Sequence, residues 1–192
     1  MKIVIIDYGA GNIQSIKFAI QRLGYTAHLS NNPEEIKAAD KVIFPGVGEA
    51  SSAMKKLLDS GLDALIPTLK QPVLGICLGM QLMCSSSEEG DTKGLGIFDV
   101  AVKRFSNQVK VPQIGWNKIT QLKSDLFTNV QEDFVYLVHS FYAPITENTV
   151  AIADYDVAYS AALQKDNFYG TQFHPEKSSE VGATILNNFL TL

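Results

Sequence analysis

The sequence is poor in several things that mark out whole classes of protein. It has two cysteines, one tryptophan and three histidines in 192 residues. Cys77 and Cys84 are too few for a disulfide framework, and their spacing matches no CxxC metal or redox motif. The pattern around them reads as one helix, which sets them roughly 10 Å apart along its axis. A disulfide needs Cα atoms within about 7 Å. Both are therefore expected to be free thiols in a reducing compartment, Cys84 as a buried, inert one. No apolar stretch reaches the ~18 residues that span a bilayer. The longest, residues 72–84, is broken by glycines and Gln81. The opening "MKIVIIDYGAGN" has four apolar residues in a row before Asp7, too few for the core of a secretory signal. A cytoplasmic protein is the expectation. Net charge is only −4, which gives no electrostatic footprint for nucleic acid.

What is present fits a globular protein: 46% apolar residues and 19% charged. The length suits one domain, 1–192, with a sizeable core. "KIVIID" (2–7) reads as a buried strand, and Ile13, Ile16, Ala19, Ile20 and Leu23 fall at helical spacing until Gly24. "YTAHL" (25–29) alternates, with Tyr25, Ala27 and Leu29 inward. A Pro-started helix near 33–38, a strand "KVIF" (41–44), a helix over 50–59, a strand "PVLGI" (72–76) and a helix from 78 follow. Such alternation predicts the α/β class, a doubly wound, mostly parallel sheet with helices on both faces. From 97 to 173 short strand-like runs dominate, predicting antiparallel strands added to that sheet. Asp166-Asn167 marks a hairpin turn. An amphipathic helix closes the chain over 179–191, with Ser178 and Ser179 as candidate N-caps.

The stretch "PVLGICLGMQLM" (72–83) sets a cysteine between Gly75 and Gly79, where a strand pattern becomes a helix pattern. A strand that stops and a helix that starts at once must turn sharply, and small neighbours let the two pass. The corner side chain then stands at the carboxyl edge of the sheet, where ligands bind. A helix N-terminus there favours a thiolate, and the Leu78 N–H is free to meet an oxyanion. A core cysteine with two packing glycines would give the same local pattern.

A nucleophilic cysteine needs a base, usually histidine. His28 alternates with Thr26 and Ser30 and should face outward. His139 ends the run "FVYLV" as a strand-end or ligand-contact histidine. His174 lies in "YGTQFHPEKS", where Pro175 forces it into extended backbone. Positions i and i+2 of extended chain share a side, so Glu176 could steady its imidazole. The loop "FPGVGEA" (44–50) offers the N–H groups of Val47 and Gly48 for an oxyanion hole with Leu78. "DYGAGN" (7–12) looks like a phosphate loop, but Gln14 stands at the third glycine of GxGxxG, so dinucleotide binding is not expected.

"PVLGICLGMQLM" with "QFHPEKS" resembles the class I, or triad, glutamine amidotransferases across nearly the whole chain. "IDYGAGNIQSI", "PGVGEA", "SEEGDTKGLGIF", "VPQIGWN" and "YLVHSFY" narrow the resemblance to the branch that serves imidazole glycerol phosphate synthases in histidine biosynthesis. The resemblance implies Cys77 as nucleophile, His174 as proton carrier and Glu176 as its orienter. It also implies Gln81, Glu89, Ser140, Phe141 and backbone around Gly48 as glutamine contacts, with no metal and no cofactor. The glutaminase takes up the whole chain, so a heterodimer with a (β/α)₈ barrel cyclase is implied, with Asn12, Gln113, Trp116 and Asn117 as candidates for the contact. Core packing is the alternative for Trp116. Gln113 and Phe141 stand where relatives often carry His and Tyr. Rival readings are a glutaminase for anthranilate or aminodeoxychorismate synthase, a non-enzymatic stress or chaperone protein with an elbow cysteine, and a cysteine peptidase on the same scaffold.

Overall fold

The computed structural model describes residues 1–9 and 12–192. Two residues of the "DYGAGN" loop therefore lie outside the described ones. The first half runs β1 (Ile3–Ile6), α1 (Ile13–Arg22), β2 (Ala27–Ser30), α2 (Pro33–Lys37), β3 (Lys41–Gly46), α3 (Ala50–Ser60), α4 (Leu62–Leu65), β4 (Val73–Cys77) and α5 (Leu78–Leu82). The second half runs β5 (Cys84–Ser87), β6 (Thr92–Lys93), β7 (Phe98–Arg104), β8 (Gln113–Lys118), β9 (Phe134–His139), β10 (Phe141–Tyr142), β11 (Thr149–Asp154), β12 (Ala158–Lys165), β13 (Phe168–Thr171) and α6 (Ser179–Thr191).

The main sheet has seven strands in the order β11-β12-β13-β4-β3-β1-β2. The five from β13 to β2 are parallel, and β11 and β12 extend the sheet antiparallel. Strand side chains alternate between faces, and the two faces fill two cores. Val4 and Ile6 of β1 pack with Ala53 and Leu57 of α3, Leu62 of α4 and Met80 of α5. Ile3 and Ile5 pack with Ile16 and Ile20 of α1 and with Ile185 and Phe189 of α6. Each fully buried Val, Leu, Ile, Met or Phe among them contributes about 1.5–3 kcal/mol. Helices thus cover both faces, the doubly wound arrangement expected. The two-residue turn at Asp166-Asn167 joins β12 to β13, with Asp166 at φ 52°. No helix among the described residues is long and apolar enough to cross a membrane.

Several details depart from expectation. Only β11, β12 and β13 of the later strands join the main sheet. β7 lies in a four-stranded sheet ordered β10-β7-β5-β6, and β9 pairs with β8 alone. Short apolar runs show that strands form but not which neighbour they choose. Leu29 is 40% exposed rather than inward, because β2 is the sheet's edge and has a neighbour on one side only. Cys84 is not on the helix of Cys77: α5 ends at Leu82, and Cys84 opens β5, fully buried as expected. Ser178 stands at the head of α6 without capping it. Its hydroxyl donates instead to the His174 carbonyl at 2.7 Å and accepts the Tyr136 N–H at 2.9 Å.

Candidate active site

Cys77 ends β4 and immediately precedes α5, with φ 53° and ψ −111°. A non-glycine residue rarely holds such a backbone, and it persists only where its surroundings enforce it. Here β3 enforces it. A Cβ on Gly79 would stand 2.0 Å from the Phe44 carbonyl oxygen. A Cβ on Gly75 would stand 2.4 Å from Cε of Met83 and 2.9 Å from the Gly79 backbone. Both glycines are therefore required by close backbone passage, as the sequence pattern predicts. The helix that follows is a single short turn, so its dipole helps a thiolate less than a long helix would. Leu78 is its first residue, and that N–H has no acceptor inside the helix.

His174 follows β13 in extended backbone, at φ −95° and ψ 96°. The chain then does not stay extended. Pro175–Lys177 form a 3₁₀ turn, which proline's fixed φ favours at its start. That turn folds Glu176 back, so its Oε1 accepts the Nδ1 hydrogen of His174 at 2.8 Å. The pairing expected from i and i+2 is there, but by a tight turn. The His174 N–H donates to the Tyr136 carbonyl at 2.9 Å, which ties the residue to β9. Burial pushes the imidazole pKa down, but the Cys77 and Glu176 side chains beside it prevail and raise it to about 10.

β3, β4 and β13 are adjacent in the sheet and parallel, so their carboxyl ends meet at one edge. A cavity of about 290 Å³ opens there. Cys77 and His174 line it, with Val47, Gly48 and Leu78. So do Gln81, Glu89, Ser140 and Phe141. Of the residues singled out for chemistry, only Glu176 stands outside it, behind His174. The thiol faces the Val138 carbonyl at 3.8 Å and Nε2 of Gln172 at 3.7 Å. Nε2 of His174 is buried and has no hydrogen-bond partner among the described residues. Proton exchange between the two therefore requires the thiol to turn from the Val138 carbonyl toward Nε2. Such catalytic contacts commonly tighten only with substrate bound.

The polar groups of the cavity are held from behind. Glu89 accepts the Ala50 N–H, at the head of α3, at 2.9 Å. Burial raises its carboxyl pKa, against that bond, and the charge of Glu49 raises it further. Nε2 of Gln81 donates to the Phe141 carbonyl and to Oε1 of Gln172, both at 2.8 Å. His139 gives Nδ1 to the same carbonyl at 2.7 Å, while Nε2 meets the Tyr159 hydroxyl at 3.3 Å. It is held at the strand end and also lines the cavity, so it answers to both expected descriptions. Burial lowers its pKa to about 4, against the Phe141 bond and with the help of the His174 charge. His28 is exposed, as expected.

The residues expected at a partner contact divide. Trp116 is 53% exposed, edge-on to Tyr136, so core packing is ruled out for it. Asn117 is partly exposed on the same strand and donates to the Asp154 carbonyl at 2.7 Å. Asn12 is half-buried before α1 and accepts the Ser15 hydroxyl. Gln113 does not fit: only 4% exposed, it takes the Tyr159 hydroxyl hydrogen at 3.0 Å inside the protein. Strand alternation explains this, since Ile114 and Trp116 face out and Gln113 must face in. The sequence reasoning missed Gln172 and Ser178. Gln172 was findable, standing two residues before His174. Nothing in sequence points to the role of Ser178.

The class I glutamine amidotransferase family model matches residues 4–192. The imidazole glycerol phosphate synthase subunit HisH of Bacteroides fragilis is 58% identical, with the whole of both chains covered. The proteins of that name from Bacteroides thetaiotaomicron and Pectobacterium atrosepticum are 55% and 47% identical over the same full coverage. Among solved structures, a glutamine amidotransferase superposes with a TM-score of 0.77 at 16% identity, covering 98% of this chain and 97% of that one. The structure of PurLQS from Thermotoga maritima gives 0.74 at 17%, covering 99% and 97%. At those identities the superpositions speak for the fold alone. Fold, site geometry and full-length likeness agree, and the chain belongs to the class I glutamine amidotransferase family.

Proposed function

We propose that this chain is the glutaminase subunit of an imidazole glycerol phosphate synthase, one glutaminase domain over 1–192 that feeds ammonia to a cyclase in histidine biosynthesis. The observation that carries the reading is one cavity shared by a strained-corner thiol and a carboxylate-backed imidazole. The full-length relatives named as subunits of that synthase support the choice of pathway.

The Cys77 thiolate attacks the side-chain amide carbon of glutamine, forming a C–S bond and an oxyanion. N–H groups of Leu78 and of Val47 or Gly48 receive that charge, each such donor being worth about 100- to 1000-fold in rate. The oxyanion collapses, the C–N bond breaks, and protonated His174 gives its proton to the departing nitrogen. Ammonia leaves, and a glutamyl thioester remains. His174 then takes a proton from water, which attacks the thioester and releases glutamate and the thiolate. Glu176 holds the imidazole in one tautomer and balances its charge. Gln81, Glu89, Ser140 and Phe141 hold the amino-acid end of the substrate. No cofactor or metal enters these steps.

Ammonia needs an acceptor site on another chain. The partner is a cyclase subunit, a (β/α)₈ barrel, bound as a heterodimer through the β8–β9 face that carries Trp116, with Asn117 and Asn12 as further candidate contacts. Ile114 at 60% and Phe134 at 53% exposure give that face an apolar surface to cover. Two free cysteines suit a cytoplasmic, reducing setting. The test is glutamate and ammonia release by the purified chain mixed in turn with the cyclase, anthranilate synthase and aminodeoxychorismate synthase acceptor subunits. Stimulation by the cyclase alone is expected. Stimulation by another acceptor instead overturns the pathway assignment.

A further inference from the structure

Gln172 is fully buried, one residue past β13, and its backbone N–H is held by the Ala161 carbonyl at 2.9 Å. Which end of its amide faces the thiol can be settled by elimination. A carbonyl oxygen only accepts hydrogen bonds. The Gln81 amide atom 2.8 Å from the Phe141 carbonyl must therefore be Nε2. The same Nε2 lies 2.8 Å from the Gln172 side chain, and its second hydrogen requires an acceptor there, Oε1. The remaining end of Gln172, its NH₂, then faces Sγ of Cys77 at 3.7 Å. One main-chain carbonyl thus fixes the orientation of two amides in series. His139 secures that carbonyl from the other side, through Nδ1 at 2.7 Å.

We propose that Gln172 is a positioning residue for the nucleophile: its side-chain N–H donates to the Cys77 sulfur, oriented by Gln81 and the Phe141 carbonyl, and favours the thiolate. An N–H donor stabilises a sulfur anion more than a neutral thiol. It also restrains the side chain at a corner where only a short helical turn assists. When the C–S bond forms, the sulfur loses its charge and the bond weakens. When the thioester C–S bond breaks, charge returns to the sulfur and the donor is already in place. The role rests on Cys77 being the nucleophile proposed above. It gives Gln81 a second task, because both of its N–H hydrogens are committed and only its Oε1 is left for substrate.

The test reads the thiol rather than glutamine turnover. Alkylation of Cys77 by iodoacetamide, followed by mass spectrometry across pH, is compared in the wild type and in Gln172→Met, which keeps the volume and removes the donor. The midpoint should rise by about one pH unit, with roughly tenfold slower alkylation below it. An unchanged profile in the folded variant overturns the proposal. Should that variant not fold, the wild type decides. The side-chain ¹H–¹⁵N resonances of Gln172 should titrate with Cys77 and stop doing so in Cys77→Ala. Resonances that ignore Cys77 overturn it equally. A shifted profile in a chain that hydrolyses no glutamine with any acceptor subunit would keep the Gln172–thiol link and remove the function proposed above.

Discussion

Glu176 accepts the Nδ1 hydrogen of His174 at 2.8 Å, and both side chains are buried. That bond leaves Nε2 as the free nitrogen, on a residue that lines the cavity Cys77 shares. Glu176→Gln keeps the shape and removes the charge. The amide can present its NH₂ to Nδ1 and favour the wrong tautomer. Glutamine hydrolysis should fall by roughly 100- to 10,000-fold, while the far-UV circular dichroism stays as it was. A loss below tenfold would show that the carboxylate does not orient the base.

The corner depends on Gly79. Its substitution by alanine sets a Cβ against main-chain oxygen of β3, which has no flexible end to yield. We expect Gly79→Ala to lower stability by about 3 kcal/mol or more, above the usual cost of overpacking. Urea unfolding measures it. Gly75→Ala meets first the mobile end of Met83 and then backbone at 2.9 Å, and should cost less. Equal losses would mean that β4 and α5 can move apart.

His139 gives the protein an acid-side weakness. Its pKa falls from an ordinary 6.5 to about 4 on folding. The unfolded chain therefore takes up the proton first, and stability is lost as pH falls from 6.5 through 4. The full effect is about 3 kcal/mol. His174 has the opposite sign. Its raised pKa adds stability below 6.5, which is lost as pH climbs toward 10. Chemical denaturation at pH 7 and pH 4.5 should show a smaller acid loss in His139→Gln than in the wild type. Identical losses would remove His139 from the account.

Trp116 stands out from β8, more than half exposed and beside Ile114. Exposed aromatic anchors are the usual hot spots of interfaces. Trp116→Ala should weaken cyclase binding by about 30-fold, roughly 2 kcal/mol, with unstimulated glutamine turnover unchanged. Isothermal titration gives the first number and glutamate release the second. Undiminished binding would move the interface off the β8–β9 face.

Much of this architecture is legible in the chain itself. "KIVIID" and "PVLGI" announce buried parallel strands, because such strands are apolar on both faces. The Gly75–Cys77–Gly79 spacing announces the corner, since close passage of backbones leaves a mark in residue size. Long-range choices leave no such mark. Nothing local in "FVYLVHSF" tells β9 to pair with β8 rather than join the main sheet. Pro175 restricts His174, as expected, yet it also starts the 3₁₀ turn that sets Glu176, and one residue pattern serves both. Spacing puts Gln172 on the side of His174 in extended chain, but not against the thiol. Its orientation toward the sulfur depends on Gln81, 91 positions away.

The most direct measurement is glutamate release from glutamine by the chain and by Cys77→Ala, each with the cyclase present. Among the described residues the Cys77 sulfur makes two hydrogen-bond contacts, both long, and alanine is smaller than cysteine, so the alanine variant should fold and bind the cyclase. The account predicts stimulated turnover in the wild type and none above background in Cys77→Ala. Turnover by the alanine variant at the wild-type rate would contradict it.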